Sequence, residues 1–188
     1  MEKAAVFAVL SLSVSTATLL LAGGIDACGD YDVPSMSAVA ACQKTGRAMR
    51  PLCEATLGTT TAPEEVTVFV LAAANAAAQS CDTTVHAIRQ LMQDPSTPED
   101  VRSAGQICDG KYDEAHAQLA AAVGHLNSCS LAELIRDVPA AVVAVDDCTS
   151  ALLPVGGNSP LYNMVMGDRD RSMLTLRLTS ILLNQPGN

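Results

Sequence analysis

Small and apolar residues recur in steps of three and four along most of this chain, a spacing that permits helices and little else. The first such run covers about residues 63–93, with Val66, Val70, Ala73, Ala77, Cys81, Thr84, Ile88 and Leu91 on one stripe. Pro63 suits a first turn, Glu64 and Glu65 complement the helix dipole, and Asp94 and Pro95 stop the run. A second helix is predicted from near Pro98, with Thr97 as N-cap and Asp100 three residues on. Its stripe is Val101, Ala104, Cys108, Tyr112, Ala115, Leu119, Ala122 and Leu126, and Asn127 and Ser128 end it. A third follows Ser130, with Glu133 completing a capping box and Leu131, Leu134, Val138, Ala141, Val145, Cys148 and Leu152 on its stripe. Pro139 is expected to kink or interrupt it, and Pro154, Gly156 and Gly157 to break it. After a long loop to about Gly167, the last helix covers roughly 168–184 and buries Leu174, Leu178, Ile181 and Leu182.

Short links between the first three helices make neighbours antiparallel. The expected fold is all-α: an up-down-up-down four-helix bundle, disulfide-stapled, with an N-terminal helical hairpin in the stretch ACQKTGRAMRPLCEATL around Cys42 and Cys53. Composition agrees: apolar residues make up 49% and aromatics only 3%, so the core is mainly Ala, Leu and Val. Such side chains favour closely packed helices.

Lys3, the apolar run from Ala4 to Ala22 and the small residues Ala22, Gly23 and Gly24 read as a signal peptide over residues 1–24. Residues 25–60 then form a leader with the hairpin, and residues 61–188 the bundle. No second long apolar run exists in the sequence, so the mature chain is expected to be secreted, soluble and off the membrane. Cleavage removes Glu2 and Lys3 together and leaves the net charge at −9. That sign argues against nucleic acid, whose phosphates require a basic face, and suits a basic partner or simple solubility.

No nucleophile elbow, phosphate loop, zinc-protease motif or dinucleotide fingerprint occurs, so the chain is not expected to be an enzyme, and no cofactor is expected. His86, His116 and His125 are scattered and read as exposed helix-face residues, although Asp113 lies one turn from His116. Asp146 and Asp147 read as a solvated acidic edge.

All seven cysteines follow the signal: Cys28, Cys42, Cys53, Cys81, Cys108, Cys129 and Cys148. A secreted chain of this kind is expected to form disulfides, and an odd count leaves one thiol over. No Cys-x-x-Cys spacing suggests a metal. In antiparallel neighbours Cys108 and Cys148 come to one height, both on apolar stripes, so a bridge there is geometrically reasonable. Cys81 reaches the same height and either competes for one of them or stays a buried small hydrophobe. Nothing local decides whether Cys28 and Cys129 pair.

Cys42, Thr45, Cys53 and Leu57, a long Ala-rich helix, Cys108 with Tyr112 and Ala115, Cys148, and a closing LTSILLN helix together resemble the plant pectin methylesterase inhibitor and invertase inhibitor family over about residues 36–184. The resemblance implies bridges Cys42–Cys53 and Cys108–Cys148, export to the cell wall space, and a reversible one-to-one complex that covers a target enzyme's cleft. Where invertase inhibitors typically carry Pro-Lys-Phe, this chain has Leu131, Ala132 and Glu133. It also departs from the common family pattern at Asp147, Ser150, Leu152 and Met173. The expected function is inhibition of a pectin methylesterase, with acid invertase as the alternative target. Lys111, Asp113, Glu114, Asp146 and Asp147, on the polar faces of the second and third helices, are the candidate target contacts. An alternative from another class is a secreted carrier of small apolar ligands, whose stripes would line a cavity.

Overall fold

Pro63, Glu64 and Glu65 do not open a helix, contrary to the expectation above. In the computed structural model, which describes residues 28, 32–157 and 159–184, they form a short strand, β2 (Pro63–Glu65). It pairs antiparallel with β1 (Ser35–Ser37), Ser35 opposite Glu65 and Ser37 opposite Pro63. The ribbon continues where the Val66 amide donates to the Pro34 carbonyl at 2.9 Å. A proline fits here because an edge strand needs no donor at that position. The signal peptide expected over 1–24 lies outside the described residues.

Between the strands sit α1 (Ala38–Lys44) and α2 (Arg50–Leu57). The Ser37 hydroxyl caps α1 by accepting from the Ala40 amide. Gly46 turns the chain with φ 97°, a conformation that favours glycine. Its carbonyl accepts from the Met49 and Arg50 amides, which start α2. A Cys42–Cys53 disulfide, Cα–Cα 5.4 Å, closes the hairpin.

Four long helices follow: α3 (Val66–Gln93), α4 (Glu99–Asn127), α5 (Leu134–Gly156) and α6 (Pro160–Leu183). Each packs along two others in a closed cycle: α3 on α4 and α6, and α5 on α4 and α6. The predicted stripes of α3, α4 and α5 form the interior, apart from the half-buried ends at Leu91 and Val101. One core cluster joins Val66, Val70, Leu126, Leu134, Leu174 and Leu178 to Cys42 and Cys53, so the hairpin covers that end of the cycle. The other gathers Ala77, Cys81, Cys108, Tyr112, Ala115, Val145, Cys148 and Val165.

Several predicted boundaries move. The cap residue of α4 is Pro98, and Thr97 donates instead to the Leu91 carbonyl at 2.8 Å. Arg102 donates to the carbonyls of Met92 and Asp94, acceptors at the end of α3, and to that of Thr97 in the link that follows. Ser130 precedes a single 3-10 turn, Leu131–Glu133, with no side-chain cap, and Glu133 pairs with Arg136 at 3.1 Å rather than closing a capping box. Pro139 does not interrupt α5. Its missing N–H faces the carbonyl of Ile135, an exposed position where water can replace the lost donor, while Leu134, Val138, Ala141 and Val145 stay buried beneath. α5 also continues through Pro154 to Gly156. The long loop predicted over 154–167 is therefore a brief turn. α6 starts at Pro160 with the Ser159 hydroxyl accepting from the Tyr162 amide at 3.1 Å. In α6, Leu174, Leu178 and Leu182 are buried and Ile181 is half-buried.

Candidate target-binding face

The site is fixed by the covalent link between its two helices. Cys108 of α4 and Cys148 of α5 are bonded, with Cα–Cα 4.6 Å. One residue before Cys148, Asp147 points outward, and three after Cys108, Lys111 does the same. Lys111 Nζ lies 3.1 Å from Asp147 Oδ2 and 3.0 Å from Glu114 Oε2. Its hydrogen bonds to Glu114 and then Asp147 hold the ammonium's pKa above its ordinary value. Three of the five predicted contacts, Lys111, Glu114 and Asp147, thus form one charged cluster across the α4–α5 groove.

The other two lie to either side. Asp113 faces α3, where Arg89 reaches it at 3.5 Å and Asp109 at 2.7 Å. It does not partner His116, whose Nε2 lies 3.5 Å from Asp82 instead. Asp146 faces α6 and bonds Arg169. Arg89 and Arg169 therefore belong to this polar belt, and no stripe or motif in the sequence singles them out. His86 bonds Gln90 at 2.9 Å on the exposed face of α3. His125 is not the exposed residue that its spacing suggests. It is half-buried, 2.7 Å from Asp137, a carboxylate of α5 that is itself buried and also bonded by Arg136.

Behind the belt lies a polar core. Asp168 of α6 is fully buried and accepts from the Ser80 hydroxyl and, at 2.7 Å, from the Tyr112 hydroxyl. Arg171 stands 4.0 Å away. Burial, then the Asp168 charge, raises the Tyr112 phenol well above its usual range. Cys81 is next to this network, free and buried. Burial first, then Asp168 and Asp82, pushes its thiol up to about 12. A thiol so raised is a poor nucleophile. The network ties α3, α4 and α6 together beneath the charged face. The sequence offers one signal for it: Asp168 lies on the 161, 165, 168, 172 stripe, where an apolar residue is expected.

A third disulfide joins Cys28 to Cys129, Cα–Cα 5.3 Å, and carries the leader onto the turn after α4. Among the described residues no group of three or more His, Cys, Asp or Glu side chains is placed to hold a metal ion.

A sequence profile described as plant invertase/pectin methylesterase inhibitor matches residues 37–184. Among solved structures, a crystal structure of mutant form A of a pectin methylesterase inhibitor from Arabidopsis is similar, with TM-score 0.67 and 15% identity over 79% of this chain and 98% of that one. At that identity the likeness concerns the fold. No curated protein matches the chain significantly.

Proposed function

The chain belongs to the plant invertase/pectin methylesterase inhibitor family, and from that premise we propose that it is a non-catalytic inhibitor of a pectin methylesterase. In this reading it is exported to the cell wall space after loss of residues 1–24, and it blocks its target in a one-to-one complex. Residues 25–60 form the leader and hairpin in this reading, and residues 61–188 the bundle that meets the target. The four long helices of that bundle are read as running up-down-up-down.

The observation that carries the choice of target is the Lys111, Glu114 and Asp147 cluster on the disulfide-linked α4–α5 pair. A polar face of this kind gives salt-dependent binding to a cleft of complementary charge, and the Cys108–Cys148 bond holds α4 and α5 together before docking. Leu131, Ala132 and Glu133, in place of Pro-Lys-Phe, favour the esterase over invertase. Asp113 and Asp146 extend the same face at its two edges.

The test mixes the mature chain with plant pectin methylesterases and, separately, with an acid invertase at mildly acidic pH. Ester hydrolysis falls and sucrose hydrolysis does not. Lys111→Ala and Asp147→Lys weaken inhibition by about tenfold or more while the fold is kept. Inhibition of invertase alone, or of neither enzyme, refutes the reading.

A further inference from the structure

Charge is unevenly shared along this chain. Residues 33–61, which hold β1, α1 and α2, carry Lys44, Arg47 and Arg50 against one carboxylate, Glu54, a balance of +2 in a chain of net −9. The three cations sit on the turn from the last residue of α1 to the first of α2, and all three are exposed. Every Lys and Arg of α3, α4 and α5 is ion-paired with a carboxylate. Among the described residues Lys44 and Arg47 pair with none. Arg50 does reach Glu54, at 2.6 Å, but that pair stands in water, where such a contact is weak. Glu64 and Glu65 pair with the strand before α1, so a seven-residue helix, about 10 Å long, separates them from Lys44.

The backbone under these side chains is fixed. Thr45 is buried, and its hydroxyl donates to the Cys42 carbonyl at 2.8 Å. The Cys42–Cys53 bond closes the hairpin behind it, so little backbone entropy remains to be lost when the turn binds. The turn is also separate from the target-binding face. The hairpin covers the bundle end where Leu126 lies, and Lys111 stands fifteen residues before Leu126, roughly 22 Å along α4. Ammonium and guanidinium groups bind carboxylates through charge-assisted hydrogen bonds. A chain of net −9 repels a polyanion as a whole, but salt confines that repulsion to about 8 Å. Unpaired cations set apart from the acidic faces therefore hold one locally. The choice of polymer rests on the proposed function: hydrolysis of a pectin methyl ester leaves a carboxylate on the polymer, so the target's own product supplies a row of them. We propose that Lys44, Arg47 and Arg50 bind de-esterified pectin, a linear polyuronate, and hold the inhibitor where the esterase has acted.

The test passes the mature chain over immobilised de-esterified pectin and over the fully methyl-esterified polymer, with no esterase present. The acidic polymer retains it and the esterified one does not. With three cations engaged, the log–log slope of affinity against salt is about −2, so affinity falls roughly 20-fold between about 50 and 200 mM salt. Lys44→Gln with Arg47→Gln weakens retention by about tenfold and brings the slope to about −0.7. It leaves the melting temperature and inhibition of the esterase unchanged, because both side chains are exposed and unpaired. Lys111→Ala does the opposite, weakening inhibition and leaving retention as it was. Equal retention of the wild type and the double variant overturns the proposal. So does equal retention on the two pectins, or binding to a phosphate polymer alone. A chain that inhibits the esterase yet passes freely through the acidic polymer overturns this inference and leaves the proposed function standing. A chain held by the acidic polymer that inhibits no esterase upholds this inference and refutes inhibition.

Discussion

Alkali should weaken this fold earlier than its tyrosines alone allow, and Cys81 is the reason. The thiol is fully buried, and its pKa rises from the ordinary 9.0 to about 12, through burial first and the Asp168 carboxylate second. In the unfolded chain the thiol ionises near 9; in the folded chain it stays protonated. Above pH 9 the unfolded state therefore binds fewer protons than the native state, and stability falls as pH rises. The contribution is fully present below pH 9 and is lost progressively toward pH 12. A displacement of three units corresponds to ~4 kcal/mol in total. Between pH 9 and 10 the loss from this one group is ~1 kcal/mol. Tyr112 adds to the loss only above its ordinary value of 10.0, because its folded-state pKa is also raised. The assay is urea unfolding at pH 7, 8, 9 and 10 on the wild type and on Cys81→Ala. The wild type loses ~1 kcal/mol more than the variant between pH 9 and 10, while the two curves run parallel from pH 7 to 8. Parallel curves across the whole range would show that the buried thiol is not coupled to folding and would refute the argument.

Tyr112→Phe leaves the Asp168 carboxylate without its 2.7 Å donor, so stability falls by ~2–3 kcal/mol and calorimetry records a melting point lower by ~5–10 °C. Replacing Cys108 and Cys148 together with Ser opens a loop of sequence separation 40, worth up to ~4 kcal/mol by the chain-entropy treatment, readable as a lower urea midpoint with a steeper slope as the denatured chain expands. Arg102→Ala removes one donor from each of three carbonyls at the α3–α4 link and raises amide exchange at Asp94 and Thr97, whose own bonds close that turn.

The stripes of α3, α4 and α5 were legible because apolar or small residues hold nearly all of their inward positions, with Thr84, Tyr112 and Asp137 the main polar exceptions. α6 was only half legible for the opposite reason. Its inward positions include Asp168, Ser172, Thr175 and Thr179, which look like a solvated surface until Ser80 and Tyr112 are seen to meet the carboxylate. Its first turns read as loop in the sequence because Pro154, Gly156 and Gly157 are punctuation residues, yet α5 tolerates Pro154, and Ser159 and Pro160 restart a helix soon after it ends. The β1–β2 ribbon left no trace, since three-residue strands are set by what the flanking elements bring together. The five candidate contacts lie on α4 and α5, but how they group around their partners is not legible in the sequence. Residues one position apart on a helix, such as Asp113 and Glu114 or Asp146 and Asp147, face different neighbours, and only packing says which neighbour carries Arg89, Lys111 or Arg169.

Cys129 joins backbone geometry to covalent chemistry in one residue. α4 ends at Asn127 with Ser128 as its C-cap, and the two amides after the cap turn back: Cys129 N–H to the Leu126 carbonyl at 3.3 Å and Ser130 N–H to the His125 carbonyl at 2.8 Å. This is the Schellman arrangement, whose left-handed residue is ordinarily glycine. Here it is Cys129, with φ 56°, a conformation that costs a residue with a Cβ ~1–2 kcal/mol. The bond to Cys28, at a sequence separation of 101, offsets that cost with up to ~4.7 kcal/mol of chain entropy. Two variants lacking the bond separate the terms. Cys28→Ser with Cys129→Ser loses the cross-link and keeps the strain. Cys28→Ser with Cys129→Gly loses the cross-link and relieves it. The glycine variant is therefore the more stable of the two by ~1 kcal/mol in urea unfolding, although glycine elsewhere in an α-helical chain is the weaker residue. In both, amide exchange rises first in the β1–β2 ribbon and the hairpin, which the leader no longer anchors, and stays slow at Val138, Val145 and Leu178 in the interior. Equal stability of the two variants would mean that the turn after α4 relaxes once the cross-link is gone, and that the disulfide itself imposes the left-handed backbone.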